Sequence, residues 1–382
     1  MEFSALGLSV PLLRAIKEQG YQKPSPIQEQ TIPAILARKD ILGIAQTGTG
    51  KTAAFALPLL QQFAQKPVAR NRFVKVLVLV PTRELALQVA TVFQALSVHL
   101  SRQVKTLAVF GGVSINPQMM ALSGTEILVA TPGRLLDLID NKAVKLAEVE
   151  VLVLDEADRM LNLGFADQMD SILALLPSKR QNLLFSATLA EDIQDIKDRI
   201  LSNPVEISMA EPPEADGIAL IKQAAYHVSP ERKGPFLRYL IKQENIPQAL
   251  VFVSSVRNAD NLVAKLNKNG IEAMALHGEK SQGARTEALR RFKTGQLRVL
   301  VATDLLSRGI DIELLPFVIN YDLPRSPKDY IHRIGRTGRA GASGQAISLI
   351  TPEDEHHFKV IIKKMGKPVE MRETTELNLQ GV

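Results

Sequence analysis

The chain has 382 residues, 46% hydrophobic and 23% charged, the make-up of an ordinary globular protein and too much chain for one core, so two domains are expected. It has no cysteine, which excludes disulfides, cysteine-ligated zinc and thiol nucleophiles. The formal net charge of +6 permits a polyanionic partner, although ordinary surface lysines give the same figure.

The positive residues are interspersed and there is no basic tail, so any nucleic-acid site has to be built by the fold. The start, Met1-Glu2-Phe3-Ser4-Ala5, lacks a basic stretch followed by an apolar one, and the longest apolar runs fall far short of the roughly 18 to 20 residues that cross a bilayer. A cytoplasmic location without membrane contact is expected.

Along the chain, runs rich in Val, Ile and Leu alternate with stretches long enough for crossover helices. In the first half the runs are Asp40 to Ala45, Val74 to Val80, Val104 to Phe110, Ile127 to Ala130, Val151 to Leu154 and Asn182 to Phe185. Continuous apolar runs suit strands covered on both faces, so a parallel α/β sheet is predicted. Residues 209–217, Met-Ala-Glu-Pro-Pro-Glu-Ala-Asp-Gly, read as a linker between a first domain at 1–208 and a second at 218–382. Beyond it come Ala224 to Val228, Ala249 to Val253, Ala273 to Leu276, Val299 to Ala302, Phe317 to Asn320 and Ala346 to Ile350, a second parallel sheet. An amphipathic stretch follows at Phe358 to Met365. Parallel α/β sheets bind ligands at the carboxyl ends of their strands, and two such domains in tandem offer a cleft.

The segment Ala45-Gln46-Thr47-Gly48-Thr49-Gly50-Lys51-Thr52 follows the first run and opens a helical pattern, as a phosphate-binding P-loop does. Its backbone N–H groups cradle phosphates, Lys51 reaches the β and γ phosphates, and Thr52 is a ligand for Mg²⁺. Ala45 departs from the glycine of the general pattern. A plain Gly/Thr turn is the alternative, but it needs no lysine and hydroxyl side by side. Val151 to Leu154 ends in Asp155-Glu156-Ala157-Asp158. Beside a P-loop, Asp155 is placed to hold Mg²⁺ through water and Glu156 to position or deprotonate the attacking water; the alternative is a helix cap.

Those four letters, with the P-loop before them, resemble the DEAD-box RNA helicases, a likeness running from near the first residue to about Ile350. It implies two tandem RecA-like domains, each a parallel sheet flanked by helices, and an RNA-stimulated ATPase. Gly20-Tyr21-Gln22-Lys23-Pro24-Ser25-Pro26-Ile27-Gln28 looks like the family's Q motif, with Phe3 upstream. The resemblance gives Tyr21 stacking on adenine and Gln28 bonding its edge, and an amide offers the donor and acceptor this needs. Pro81-Thr82-Arg83, Gly111-Gly112 and Thr131-Pro132-Gly133-Arg134 match loops that face RNA in the family; each alone is also a plausible turn or cap. Ser186-Ala187-Thr188 matches a linking motif whose hydroxyls bond Asp158 and couple the ATP state to closure.

In the second domain, Val251 to Ser255 and His277-Gly278 with Gln282 and Arg285 look like RNA contacts, although Ser254 and Ser255 depart from commoner variants. By resemblance Thr303 and Arg308 lie toward RNA and Asp311 toward the ATP ribose, with a buried Asp–Arg pair as the alternative for the last two. The run His332-Arg333-Ile334-Gly335-Arg336-Thr337-Gly338-Arg339 reads as a solvated basic helix end on clustering alone. The resemblance instead makes Arg336 and Arg339 arginine fingers and His332 a coupling residue.

The expected partner is RNA bound without sequence preference, through phosphates and 2′-OH groups. Local separation of short duplexes, or remodelling of ribonucleoproteins, is the expected output. A monomer that works with ribosome-assembly or RNA-decay proteins, in the bacterial RhlE-like group, is the finer expectation. A DNA helicase of the same architecture and an ATP-gated RNA clamp or scaffold stay as alternatives.

Overall fold

Each apolar run is a strand in the computed structural model, which describes residues 1–45, 48–64, 66, 73–209, 221–304, 315–337 and 344–379. The chain divides into two compact units, Met1–Ala210 and Glu211–Val382. Residues 210–217 of the expected linker lie outside the described residues. Met209 is still part of the first unit, its N–H donating to Ile44 O at 3.0 Å.

The first unit carries β1 (Ile41–Ile44), β2 (Val76–Leu79), β3 (Thr106–Val109), β4 (Ile127–Ala130), β5 (Val151–Leu154), β6 (Gln181–Ser186) and β7 (Val205–Ser208). The second carries β8 (Ile221–His227), β9 (Ala249–Phe252), β10 (Ala273–Leu276), β11 (Val299–Ala302), β12 (Phe317–Asn320), β13 (Gly344–Ile350) and β14 (Glu370–Glu373). Among the described residues all strand pairings are parallel. The two seven-stranded sheets run β3-β4-β2-β5-β6-β1-β7 and β10-β11-β9-β12-β13-β8-β14. The second order is the first with seven added to every label, so the units share one topology.

Successive residues of a strand face opposite sides of a sheet, and here both sides are apolar. Val76, Val78, Val151 and Val153 enter one core while Leu77, Leu79, Leu152 and Leu154 enter the other. In the second unit Val299 and Val301 face one core and Leu300 and Ala302 the opposite one. Fully burying such a side chain contributes about 1.5–3 kcal/mol. Both cores thus hold the carboxyl ends of the strands in fixed register, and the motif-bearing loops leave from those ends. Among the described residues no helix is long and apolar enough to cross a membrane.

Candidate functional site

The loop after β1 is shaped by glycine. Gly48 and Gly50 have φ of 82° and 90°, a region where side chains are strained. A Cβ on Gly50 would also come within 2.5 Å of Gln28 Nε2. Gly50 caps helix Lys51–Phe63. Lys51, buried at its first position, folds back across the loop, Nζ donating to Ala45 O at 2.7 Å. Gln46 and Thr47 lie outside the described residues.

Gln28 is buried and already engaged. Its Oε1 accepts the Ser25 N–H at 3.0 Å as part of a capping box, and its Nε2 donates to Gly50 O at 3.1 Å. Ser25 Oγ donates to Thr49 O at 2.8 Å. The Q segment therefore splints the P-loop, a role that sequence reasoning missed. Phe3 is also buried rather than presented at the surface, its ring edge-on to Tyr21 with centroids 6.3 Å apart; it supports Tyr21.

Asp155 and Glu156 follow β5 and are both buried. Burial pushes the Asp155 carboxyl up to about 6, against the pull of Lys51, while Glu156 and Asp158 add like charge. A buried carboxylate among acids, within the field of the P-loop lysine Lys51, suits a hard divalent cation. Among the described residues no group of three or more His, Asp or Glu side chains forms a protein-only metal cage. Glu156 has a left-handed backbone, φ 52° and ψ 49°, uncommon for a non-glycine residue. Its Oε2 accepts from Arg159 Nη1 at 3.0 Å.

Asp158 Oδ2 accepts the Thr188 hydroxyl at 3.3 Å. Ser186 differs from expectation: its hydroxyl donates to Thr188 O at 2.7 Å and accepts the Thr188 N–H at 3.3 Å. At the end of the interior strand β6, it bonds within its own turn and fixes Thr188, which alone of the two meets Asp158 in these hydrogen bonds.

The remaining first-unit segments leave β2, β3 and β4. Pro81 is buried, and Thr82 caps helix Arg83–Ser97 by accepting the Leu85 N–H at 3.3 Å. Arg83 Nη1 donates to Gly112 O at 3.4 Å. Gly112 has φ 71°, and a Cβ there would overlap the Arg83 guanidinium, whereas Gly111 meets no such neighbour. Thr131 stands at the N-cap position of helix Pro132–Asp140 with no side-chain capping bond, Gly133 lies in the first turn, and Arg134 turns inward, 7% exposed, with Nη2 donating to Val113 O at 2.8 Å. Expected as a phosphate donor, Arg134 instead braces the loop after β3.

The second unit repeats the plan. Ser255 caps helix Val256–Lys268, accepting the Asn258 N–H at 3.1 Å. After β10, buried His277 bonds Asp260 at 3.0 Å, and Lys280 reaches the same carboxylate at 2.7 Å. Gln282 opens helix Gln282–Lys293, in which Arg285 is buried. Thr303 follows β11, its N–H on Leu276 O at 3.4 Å. Arg308, Asp311 and Arg339 lie outside the described residues. His332 is in the last turn of helix Pro327–Ile334, and Arg336 is mostly buried, its carbonyl accepting the Leu315 N–H at 3.1 Å.

Arg333 has a clear structural role that sequence reasoning passed over. It forms a two-pronged pair with Asp304 at 2.6 and 2.7 Å, donates to Asn320 Oδ1 at 3.1 Å and Asp322 O at 2.6 Å, and lies over the Phe252 ring. It thereby ties the ends of β9, β11 and β12 to the helix preceding Arg336.

A P-loop, an acid pair after β5 and two units of one parallel topology define a P-loop nucleoside triphosphatase with two RecA-like units. The DEAD/DEAH box helicase family model matches residues 25–196, and the helicase conserved C-terminal domain model matches 232–341. The ATP-dependent RNA helicase CshA of Listeria monocytogenes is 41% identical over 373 residues, covering 97% of this chain and 70% of that protein. The DEAD-box ATP-dependent RNA helicase CshA of Bacillus subtilis is 40% identical over 375 residues, covering 98% and 74%. A solved structure of S. cerevisiae Dbp5 bound to RNA and ADP BeF3 matches with TM-score 0.83 at 32% identity, covering 98% of this chain and 96% of that one. The chain belongs to the DEAD-box ATP-dependent RNA helicases and is an RNA-stimulated ATPase of that family.

Proposed function

We propose that ATP binds the P-loop unit, that single-stranded RNA is held by loops of both units, and that hydrolysis requires groups from both. One observation carries this reading. The segments read as RNA-facing leave β2, β3 and β4, and again β9, β10 and β11, which are the same three places in one topology. The lysine-hydroxyl pair and the acids leave β1 and β5. The similarity to Dbp5, solved bound to RNA and ADP BeF3, supports a chain that takes both kinds of ligand.

On ATP binding, Lys51 exchanges the Ala45 carbonyl for β and γ phosphate oxygens, Tyr21 stacks on the base and Gln28 reads its edge. Thr52 and, through water, Asp155 would hold Mg²⁺, which when bound neutralises charge at the phosphates. Glu156 orients the attacking water and accepts its proton. Arg336 and Arg339 neutralise charge on the transferring group, and the Asp158–Thr188 bond links nucleotide state to the rest of the chain.

Thr82 and Ser255 each accept a helix N–H yet keep a hydroxyl proton to donate, which suits an RNA phosphate. Contacts of this kind read backbone and 2′-OH, giving RNA preference without sequence preference. A strand gripped this way is parted from its complement over a short length and released after hydrolysis. The test is ATP hydrolysis stimulated by RNA against DNA of one sequence, with strand separation of a short labelled RNA duplex. RNA-specific stimulation with separation supports helicase action; retention of RNA without separation would establish the clamp instead.

A further inference from the structure

The shared topology places a second lysine where the P-loop lysine stands. Lys51 is the first residue of the helix after β1, and Lys233 is the first residue of helix Lys233–Gln243 after β8, the equivalent strand; both are buried. The residues after β5 and β12 also correspond. Asp155 N donates to Leu79 O, at the end of β2, and Tyr321 N donates to Phe252 O, at the end of β9, each at 3.0 Å. Glu156 therefore has Asp322 as its counterpart.

In the second unit these counterparts meet each other. Lys233 Nζ donates to Asp322 Oδ1 at 3.1 Å and lies over the Tyr321 ring. The partner that phosphate provides for a P-loop lysine is here supplied by a carboxylate of the same unit. The other oxygen, Asp322 Oδ2, accepts the Ser254 N–H and the Ser254 hydroxyl, both at 2.9 Å, and the Asn258 amide at 3.3 Å. Ser254 precedes the cap Ser255, and Asn258 lies in the first turn of the helix that Ser255 caps. Four hydrogen bonds thus converge on one carboxylate beneath the loop that leaves β9.

We propose that Lys233 and Asp322, at the place of the phosphate site in the second unit, are a positioning pair for RNA: they fix the Ser254–Ser255 loop so that its backbone and the Ser255 hydroxyl present donors to an RNA phosphate. This rests on the reading that the loop after β9 faces RNA.

The test uses the full chain, a fluorescein-labelled single-stranded oligouridine, and steady-state ATP hydrolysis at varied RNA and varied ATP. Asp322→Asn and Lys233→Met should each raise the KM for RNA about ten-fold or more, leaving the KM for ATP and kcat at saturating RNA within about two-fold. Lys233→Arg should recover much of the loss. Ser254→Ala, which removes one donor and leaves the ion pair, should raise the KM for RNA less, and it remains a test if the other variants do not fold. Wild-type RNA affinity in Asp322→Asn, or an equal fall in RNA and ATP parameters, would overturn the proposal. Ser255→Asp keeps a capping oxygen but repels phosphate, so it checks the underlying reading. If it binds RNA like wild type, the loop does not face RNA; if it alone weakens RNA binding, only the positioning role fails.

Discussion

Arg159 Nη1 donates to Glu156 Oε2 at 3.0 Å, and both side chains are largely buried. Glu156 is held by this pair on a left-handed backbone, so its carboxylate is fixed before any water reaches it. Glu156→Gln keeps the shape and removes the base. Hydrolysis should fall by roughly 10² to 10⁴, the usual contribution of a general base, with ATP affinity unchanged. Single-turnover hydrolysis beside fluorescent-nucleotide titration checks this; wild-type turnover would remove Glu156 from the role.

Lys51→Ala acts on binding instead. Hydrogen bonds to charged groups are worth about 1.5–3 kcal/mol, so nucleotide affinity should fall by at least ten-fold. The variant leaves Ala45 O without its lysine donor, so a small loss of thermal stability should accompany the loss of affinity. Calorimetric titration with ADP and a melting curve measure the two effects separately.

Gln28 holds Gly50 O and Ser25 N in the same amide that is read as facing adenine. Gln28→Ala should therefore relax the preference for ATP over GTP and also weaken binding of both nucleotides, because the P-loop loses its splint. The loss is roughly 1–3 kcal/mol for a group left unpaired. Measuring kcat/KM with each nucleotide decides it: lost discrimination at full affinity would mean that the splint has no functional weight.

Asp155 gives a pH prediction. Its folded-state carboxyl is raised by burial to about 6 from an ordinary 3.8. The folded chain holds this proton more tightly than the unfolded one, so stability falls as pH rises from about 4 to about 6 and stays lower above that. The size is roughly 3 kcal/mol. Asp155→Asn should remove this component and raise the melting temperature of the nucleotide-free chain at neutral pH while abolishing hydrolysis. Melting curves from pH 4 to 8 test it; an unchanged pH slope in the variant would place the effect elsewhere.

The sequence disclosed strands where burial on both faces demanded an unbroken apolar run, as in Val-Leu-Val-Leu at 76–79 and 151–154. It did not disclose β7 or β14. These are edge strands, with burial limited to Ile207 in the first and absent in the second, so Val-Glu-Ile-Ser and Glu-Met-Arg-Glu carry no apolar run. The P-loop and the acid quartet were legible because their chemistry is contiguous. Arg333 was not, since Asp304, Asn320 and Asp322 become its neighbours only when three strands align. Arg134 misled for a related reason: a guanidinium serves a loop carbonyl as readily as a phosphate, and only the fold shows which way it turns.

The two-unit mechanism is tested at Arg336. Its backbone is fixed within its own unit, carbonyl on Leu315 N and N–H on Arg333 O, each at 3.1 Å, so substituting the side chain leaves those bonds in place. Arginine fingers contribute about 10³ to 10⁵ in rate. Arg336→Ala should abolish RNA-stimulated hydrolysis while leaving ATP binding by the P-loop unit unchanged. Arg336→Lys keeps the charge but not the planar fork, so it should restore little where geometry governs and much where charge alone does. RNA-stimulated turnover of all three proteins, at ATP and RNA concentrations well above each KM, separates these outcomes. Full stimulated turnover in Arg336→Ala would give Arg336 a packing role within its own unit and leave that unit without a catalytic arginine at this position.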